Sequence, residues 1–420
     1  MVKTISLLPG ITLRCFQDNR FKQGFLSLQF IRPMNREEAA YNALIPAVLL
    51  RGCNTAPDMR TITLRLDDLY GASAGTSVRR IGDHHAFGIC CGFVCDKFAM
   101  EGDKILQPMV SFLGELLLDP VLENGMFLPE YVESEKKNLI ATIAAQRNDK
   151  RAYANARLFE NMCRKDSFGI PRLGEIDRVK KITPRSAYAY YQKMLSQSRV
   201  DVFYVGQAEP ETVAELIKPI FRDIDRGYVN LPEQTPFHSC GGGEFTETMD
   251  VAQGKLCMGF ATPITLDSAD FAAMQVCNNL FGGGMTSKLF MNVREKMSLC
   301  YDIGSTYFGS KGIITVSAGI DCAQEQVARN EILEQLAAVC RGDVTQQELT
   351  AAKQGLISGL RGIHDTPGGI ENYYATAAIS GLNFTPEEYI RAVEQVELEQ
   401  VCRVAQTLKL DTVFFLKGEN

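Results

Sequence analysis

The chain has 420 residues, of which 45% are hydrophobic and 22% charged, as expected of a globular protein with two or more domains. Its formal charge of −6 argues against a general nucleic-acid-binding protein, because such proteins carry a basic excess. No stretch approaches the roughly 18–20 continuous apolar residues of a membrane span. Pro9 and Gly10 interrupt the short apolar run at the start, so we also expect no signal peptide. The 13 cysteines lack paired spacing and are typical of buried thiols in a reducing compartment, which predicts a cytoplasmic location.

The elements predicted from hydrophobic periodicity follow one another as strands, a helix, a strand pair, long helices and a last strand. In the first half, helices are predicted over about residues 37–50, 106–118 and 131–147, and in the second half over about residues 268–280. Adjacent short strands favour antiparallel pairing, and helices in runs favour one face of a sheet. The sequence therefore predicts an α+β fold.

The second half of the chain repeats the first. Four segments match in the same order, and the offset between the copies falls from 230 to 211 residues, as it would if loops shorten in the second copy. We therefore predict two homologous domains, residues 1–225 and 243–420, joined by a proline- and glycine-containing linker over residues 226–242. The matched pairs are Gln23-Gly24 with Gln253-Gly254, the strand pairs beginning at Leu69 and Leu299, the helical runs through Leu139-Ile140 and Leu356-Ile357, and VDVFYVGQAE (200–209) with DTVFFLKGEN (411–420).

Histidines and glycines do not form a familiar motif. The four histidines, His84, His85, His238 and His364, make no HxxxH pair, and the chain has no CxxC pair of the kind that zinc sites use. The adjacent His84 and His85 point to opposite faces of a predicted strand. The glycine run at residues 282–284 lacks the GxxxxGK[ST] spacing of a phosphate-binding loop and is interpreted as a turn.

The most specific segment is FGGGMTSKLFMNVREKMSLCYDIGS, residues 281–305, in which a glycine turn precedes a helix and then a strand. It resembles the second-half signature of the pitrilysin/insulinase metallopeptidase family, to which the mitochondrial processing peptidases belong. Lys288 stands where arginine is common, and Ser298 and Cys300 replace the usual glycine and alanine. The resemblance implies two homologous α+β domains, each an antiparallel sheet with helices on one face, that form a clamshell. The matching residues are Gly282, Gly283, Gly284, Ser287, Leu289, Phe290, Val293, Arg294, Glu295, Leu299 and Tyr301.

The resemblance also implies a degenerate zinc site. Active members of the family carry an HxxEH motif on the first helix, followed by a turn that resembles RGT, here Arg51-Gly52-Cys53. Counting back from that turn, the two ligand histidines correspond to Ala43 and Ala47, and the catalytic glutamate corresponds to Pro46. The third ligand, a glutamate on a later helix, corresponds to Thr142. Alanine has no donor atoms and proline cannot act as a general base, so these residues do not form a catalytic zinc site.

Arg294 and Tyr301 are the substrate-binding residues that the resemblance implies, because in this family the pair reaches the substrate backbone beside the zinc. A guanidinium and a phenol can donate hydrogen bonds to a peptide carbonyl or its developing oxyanion. The family includes two-chain systems in which one chain carries HxxEH and the other keeps only this pair. The resemblance therefore implies a non-catalytic subunit that binds a peptide or unfolded protein segment and completes the active site of a zinc-bearing paralogous subunit.

Two alternatives remain open at this stage. One is a purely structural or peptide-binding scaffold protein without a role in catalysis, and the other is a zinc hydrolase with atypical ligands. We expect no cofactor in this chain, with zinc in the partner subunit, and neither nucleic acid nor membrane as a partner. A homodimer of the isolated chain is left open.

The purified chain is expected to contain no stoichiometric zinc and to cleave no peptide alone. The reason is that Ala43, Ala47 and Thr142 do not provide the histidine and glutamate ligands that catalytic zinc requires. Elemental analysis after mild chelation checks this prediction. One zinc per chain would contradict it, and a metal bound at His84 or His85 would support the atypical hydrolase.

Overall fold

The computed structural model describes residues 2–227 and 230–418. Residues 228 and 229 of the predicted linker, and residues 419 and 420 of the last matched segment, lie outside the described residues. The chain divides into two compact units. Unit 1 comprises Met1–Ala144, Ile170–Glu233 and His364–Ile379, and unit 2 comprises Ala145–Gly169, Gln234–Ile363 and Ser380–Asn420.

Strands in the described residues form one large sheet in each unit and one short hairpin. In chain order they are β1 (Val2–Leu8), β2 (Ile11–Gln17), β3 (Gln23–Pro33), β4 (Ser73–Ile81), β5 (His84–Val94), β6 (Leu122–Glu123), β7 (Met126–Phe127), β8 (Arg199–Gly206), β9 (Gly243–Thr248), β10 (Gly254–Ala261), β11 (Cys300–Phe308), β12 (Ile313–Ile320) and β13 (Lys409–Lys417).

Helices connect and cover these strands, and none within residues 2–227 and 230–418 is long and apolar enough to cross a membrane. Two further segments are π-helical, Asn279–Gly283 and Leu289–Lys296. The α-helices are α1 (Ala39–Leu49), α2 (Met59–Asp68), α3 (Leu106–Leu118), α4 (Pro129–Ala145), α5 (Lys150–Met162), α6 (Ile176–Lys181), α7 (Pro184–Gln197), α8 (Pro210–Phe221), α9 (Phe271–Asn278), α10 (Glu325–Arg341), α11 (Gln346–Gly362), α12 (Pro367–Ser380), α13 (Pro386–Glu394) and α14 (Leu398–Ala405).

The two large sheets have equivalent topologies. Their strand orders are β1-β2-β8-β3-β5-β4 in unit 1 and β11-β12-β10-β13-β9 in unit 2. Apart from β1, which lies at the edge of the sheet of unit 1, the two orders correspond strand by strand. The last strand of each half, β8 or β13, therefore occupies the same place in its sheet, as the sequence repeat predicts, and lies between an antiparallel neighbour and a parallel one. Each sheet therefore contains one parallel pair, which the expectation of an antiparallel sheet omitted. The long helical connection before β8 and β13 permits parallel pairing, which a short hairpin cannot provide.

Helices cover both faces of the sheet in unit 1. Val202 and Tyr204 of β8 belong to the largest apolar cluster of unit 1, called here the main core, which also contains residues of α1 and α3. The alternate residues Phe203 and Val205 point to the opposite face, where they pack with Ile370 of α12. The expectation of helices on one face thus holds for most of the helices, and α12 is the helix that covers the second face.

In unit 2, α5 covers the second face of the sheet. Ala154 and Leu158 of α5 pack with Cys257 of β10 and with Phe414 of β13. Asp149 caps α5, because its Oδ1 accepts hydrogen bonds from the backbone N–H groups of Arg151 and Ala152 at 3.1 and 3.0 Å. The second face of this sheet is therefore covered by a helix that precedes the linker in sequence.

Helices α5 and α12, called here the exchanged helices, are equivalent elements of the repeat. They follow α4 and α11, which contain the matched segments Leu139-Ile140 and Leu356-Ile357. Each belongs to the compact unit of the other half of the sequence. The compact units are therefore discontinuous in sequence, unlike the continuous ranges 1–225 and 243–420.

A buried carboxylate attaches α12 to the sheet of unit 1. Glu371, which is 5% exposed, accepts hydrogen bonds from Ser27 Oγ at 2.8 Å and from Arg79 Nη2 at 2.7 Å. A carboxylate in this position replaces lost water contacts with charge-assisted hydrogen bonds.

Substituting Glu371→Ala should lower the free energy that protects α12 against hydrogen exchange by about 1–3 kcal/mol, because the partly buried guanidinium of Arg79 and the buried hydroxyl of Ser27 lose their acceptor. Hydrogen-exchange mass spectrometry of peptides from α12 measures this change. Glu394→Ala, at an exposed position of α13, is the matched control and should leave α12 unchanged. Equal protection of α12 in both variants would contradict the role of Glu371.

Candidate functional site

The residues that the resemblance assigns to the zinc motif lie on α1 in unit 1. Ala43 is 7% exposed and belongs to the main core, Pro46 is buried within the helix, and Ala47 is half-buried. Pro46 has no N–H and cannot donate to the carbonyl of Asn42 one turn earlier. At these positions the helix therefore presents small apolar groups and a proline ring, with no side-chain donor atom for a metal.

The third ligand position lies on α4 and is also unsuited to zinc. The hydroxyl of Thr142, an exposed residue, donates to the Asn138 carbonyl at 2.9 Å. The earlier carboxylate on this helix, Glu135, lies 3.4 Å from the guanidinium of Arg51, the arginine of the RGC turn. That guanidinium also lies over the Tyr131 ring, 5.5 Å from its centroid. The carboxylate of Glu135 is thus neutralised by an arginine.

This donor set does not fit a catalytic zinc. Two alanines and a proline provide no ligand, and a threonine hydroxyl is not a typical zinc ligand. Within the part of the chain that the structure describes, no group of three or more histidine, cysteine, aspartate or glutamate side chains could hold a metal ion. Zinc bound by atypical ligands therefore receives no support from the described residues.

His84 and His85 take part in structural contacts of unit 1. Nε2 of His84 lies 2.9 Å from the Pro232 carbonyl. Nδ1 of the fully buried His85 lies 3.0 Å from Nδ2 of Asn42, which neighbours Ala43 on α1. The hydroxyl of Tyr190 lies 2.8 Å from Oδ1 of Asn42. These contacts connect α1 to β5 and α7 by polar groups, so both histidines have a structural role.

Close packing of glycines shapes the segment before Arg294. A Cβ atom at Gly282 would lie 2.7 Å from Leu289 Cδ1 and 2.7 Å from Ser305 Oγ, and one at Gly283 would lie 2.7 Å from Asn279 Oδ1. Gly282 and Gly283 lie in a π-helical turn, so the prediction of a simple turn is wrong for them. Glycine is required here by close approach of neighbouring atoms.

One side-chain contact before Phe290 and one after it join this part of the chain to neighbouring helices. Lys288 Nζ lies 2.7 Å from the carboxylate of Glu348 on α11. Nδ2 of Asn292 donates to Oε1 of Gln335 on α10 at 2.7 Å. The lysine that stands in place of the usual arginine therefore has a structural partner. Short π-helical stretches are frequent at functional sites.

Arg294 and Tyr301 lie together in unit 2. The guanidinium carbon of Arg294 lies 4.5 Å from the centroid of the Phe290 ring and 5.8 Å from that of the Tyr301 ring. Among the described residues, Arg294 has an ion pair with Glu295 alone, at 3.6 Å, and its side chain is 33% exposed. The guanidinium is thus oriented by two aromatic rings and keeps N–H groups for another acceptor.

A β-bulge places Tyr301 on the surface. Cys300 pairs with Ile320 and Asp302 with Gly319, so Tyr301 is an extra residue without an opposite partner in β12. Bulges of this kind redirect side chains and are common beside active sites. Tyr301 is 75% exposed, although tyrosine is usually partly buried. The next residue, Asp302, pairs with Arg151 at 3.5 Å and Lys255 at 3.7 Å, so its charge is balanced.

Phe290 is the residue of this site to which the sequence analysis assigned no role. It belongs to the quoted signature, and its distance of four residues from Arg294 is the spacing at which helical side chains meet. That spacing, together with an aromatic ring and an arginine, is the signal that could have identified the stack.

Two homologous α+β units, a zinc motif without ligands and an exposed arginine–tyrosine pair define a non-catalytic homologue of a two-domain zinc metallopeptidase. The family model described as "Peptidase M16 inactive domain" matches residues 181–356. A protein of Bacillus subtilis (strain 168), named "Probable inactive metalloprotease YmfF", is 31% identical over 409 residues, which cover 97% of this chain and 96% of that protein. The chain belongs to the M16 metalloprotease family and is similar to its inactive members.

Solved structures share the fold over the full length. The crystal structure of a conserved protein from Enterococcus faecalis V583 is 29% identical, has a TM-score of 0.91, and covers 100% of this chain and 99% of its own. The structure titled as a peptidase M16 inactive domain from Pseudomonas fluorescens is 16% identical, with a TM-score of 0.82 and coverage of 100% and 98%. The resemblance first noticed in residues 281–305 is therefore confirmed at the level of family and fold.

Stability is expected to fall between neutral and mildly acidic pH because of His85. Burial lowers the pKa of His85 to about 4, whereas in the unfolded chain it is about 6.5. The unfolded chain therefore takes up a proton first. The contribution of neutral His85 is complete above about pH 6.5 and is lost as the pH falls toward 4, by up to about 3 kcal/mol.

Urea unfolding at pH 7.0 and pH 5.0 measures this effect. His85→Leu should reduce the difference in unfolding free energy between the two pH values. A smaller difference should remain, because burial also lowers the pKa of His84. His238→Gln, at an exposed position, should keep the full difference. The assignment is wrong if His85→Leu and the original chain show the same pH dependence.

Proposed function

We propose that this chain is the non-catalytic subunit of a two-chain peptidase. In this proposal it binds a peptide or unfolded protein segment and supplies Arg294 and Tyr301 to the active site of a zinc-bearing paralogous subunit. The observation that carries the proposal is the stack in which Phe290 and Tyr301 orient the guanidinium of Arg294. An arginine that served solubility alone would need no such support.

The chemistry available to the pair is hydrogen-bond donation. The guanidinium of Arg294 and the phenol of Tyr301 can donate to a peptide carbonyl and to the oxyanion that develops from it. The guanidinium of Arg294 lies against two aromatic rings before substrate arrives, so it loses less orientational freedom on binding. Zinc would be supplied by the partner, because α1 and α4 of this chain lack its ligands.

Exposed apolar residues close to the pair in sequence support peptide binding. Exposed large apolar side chains are concentrated in residues 285–301, where Met285 is 76% exposed and Met291 and Met297 are 48% and 41% exposed. Methionine side chains are flexible and polarizable, and they adapt to different apolar partners. This composition suits a surface that accepts peptides of varied sequence.

The cellular setting forms part of the same proposal. All 13 cysteines are free thiols, which is consistent with a reducing compartment and with the expected cytoplasmic location. The proposed partner is a zinc-bearing member of the same family with an intact HxxEH motif. In the absence of that partner the chain would form at most a homodimer without peptidase activity.

A scaffold without a role in catalysis is the competing function, and Arg294→Ala distinguishes the two. In the heterodimer reconstituted with the zinc-bearing paralogue, this variant should lower the rate of hydrolysis of fluorescently labelled β-casein by about 10²–10³, as loss of one oxyanion donor does. Size-exclusion chromatography should show unchanged assembly.

The matched control is Arg341→Ala, which removes an arginine of α10 that pairs with Glu334 at 2.8 Å and Asp343 at 3.1 Å. It should leave the rate unchanged. If Arg294→Ala hydrolyses β-casein at the rate of the control, the scaffold is correct and the proposed contribution to catalysis is rejected.

A further inference from the structure

The two aromatic residues that contact Arg294 differ in burial and in distance from the guanidinium. Phe290 is the closer ring, at 4.5 Å from the guanidinium carbon, whereas the Tyr301 ring is 5.8 Å away. Phe290 is partly buried, and Tyr301 is 75% exposed. The ring that is better held by its surroundings is therefore also the one nearer to the guanidinium.

The backbone that carries Phe290 is attached on both sides. Two residues earlier, Lys288 pairs with Glu348, and two residues later, Asn292 bonds to Gln335, both at 2.7 Å. The backbone N–H of Phe290 itself donates to Ser287 Oγ at 3.3 Å. These contacts hold the backbone that carries Phe290, and the side chain itself is partly buried.

The electrostatics of the stack favour an aromatic ring over an aliphatic side chain of similar size. A guanidinium over a ring face is attracted by the ring quadrupole, and leucine at the same position would lack this attraction. A cation–π contact uses none of the N–H groups of the guanidinium as hydrogen-bond donors, so these groups remain available to an acceptor.

We infer that Phe290 is a positioning residue. It orients the guanidinium of Arg294, which in turn holds the ring of the exposed Tyr301, so that both donors are in place when a peptide binds. This inference rests on the proposed function, in which Arg294 and Tyr301 act at the site of a partner subunit. Phe290 does not itself contact the reacting atoms.

The stack can be tested in the isolated chain. With ¹⁵N-labelled arginine, the Nε–H proton resonance of Arg294, assigned by its loss in Arg294→Ala, should be shifted upfield by the ring current of Phe290. Phe290→Leu should remove most of that shift, and Phe290→Tyr should retain it. An Arg294 resonance that is the same in the original chain and in Phe290→Leu would overturn the inference.

The consequence can be tested in the reconstituted heterodimer with fluorescently labelled β-casein. Phe290→Leu should lower kcat by about 3- to 30-fold, the range expected for loss of a cation–π contact, with little change in KM. Phe290→Tyr should restore most of kcat. Phe308→Leu is the matched control, because Phe308 lies in a separate aromatic cluster with Phe159 and Phe168, and it should leave kcat unchanged.

Each result decides one of the two claims. A slow Arg294→Ala heterodimer with a Phe290→Leu heterodimer at the original rate would reject the positioning role and leave the proposed function intact. Equal losses in Phe290→Leu and Phe290→Tyr would show that the aromatic face is not the cause, and would also reject the role. An Arg294→Ala heterodimer at the original rate would reject the proposed function and the positioning role with it.

Discussion

The constraint on which this fold depends is that each sheet has two apolar faces and both must be buried. In unit 1 the alternate residues of β8 enter two different clusters, Val202 and Tyr204 in the main core and Phe203 and Val205 beside α12. In unit 2, α5 covers the corresponding face through Ala154 and Leu158. An apolar face left in water would forfeit the burial that stabilises a sheet. The exchanged helices meet this requirement in both units, which explains why neither unit is a continuous stretch of sequence.

The same requirement of burial explains the residues found on helix α1. Helix α1 is packed almost entirely within unit 1, so the residues that the resemblance assigns to the zinc motif have to fill space. Ala43 and Pro46 do so as small apolar groups, and Asn42 connects the helix to His85 and Tyr190 by hydrogen bonds. Arg51, in the turn after α1, balances the charge of Glu135 on α4. The helix is thus maintained by packing and polar contacts, although its catalytic residues are absent.

The arginine–tyrosine pair shows the opposite pattern, since its surroundings are specialised. Close-packed glycines, a π-helical segment and a β-bulge are all costly departures from regular structure. Here the guanidinium of Arg294 lies near the rings of Phe290 and Tyr301, and the bulge brings Tyr301 to the surface. Such features persist when the surrounding structure supports them. Arg294 and Tyr301 therefore lie in or beside irregular backbone, whereas Ala43, Pro46 and Ala47 lie on a packed α-helix without side-chain donor atoms.

The sequence alone determined the duplication, the α+β class, the family and the loss of zinc ligands, because these depend on residue types and on their order along the chain. Ala43, Ala47 and Pro46 have no side-chain donor atoms, so these three residues cannot bind zinc in any conformation. Tertiary structure alone decided the assignment of α5 and α12 to their units and the parallel pairs at β8 and β13, since an amphipathic pattern does not specify which face of which sheet it will cover. It also decided that Tyr301 is exposed, because the one-residue bulge that redirects this side chain leaves no signal in hydrophobic periodicity.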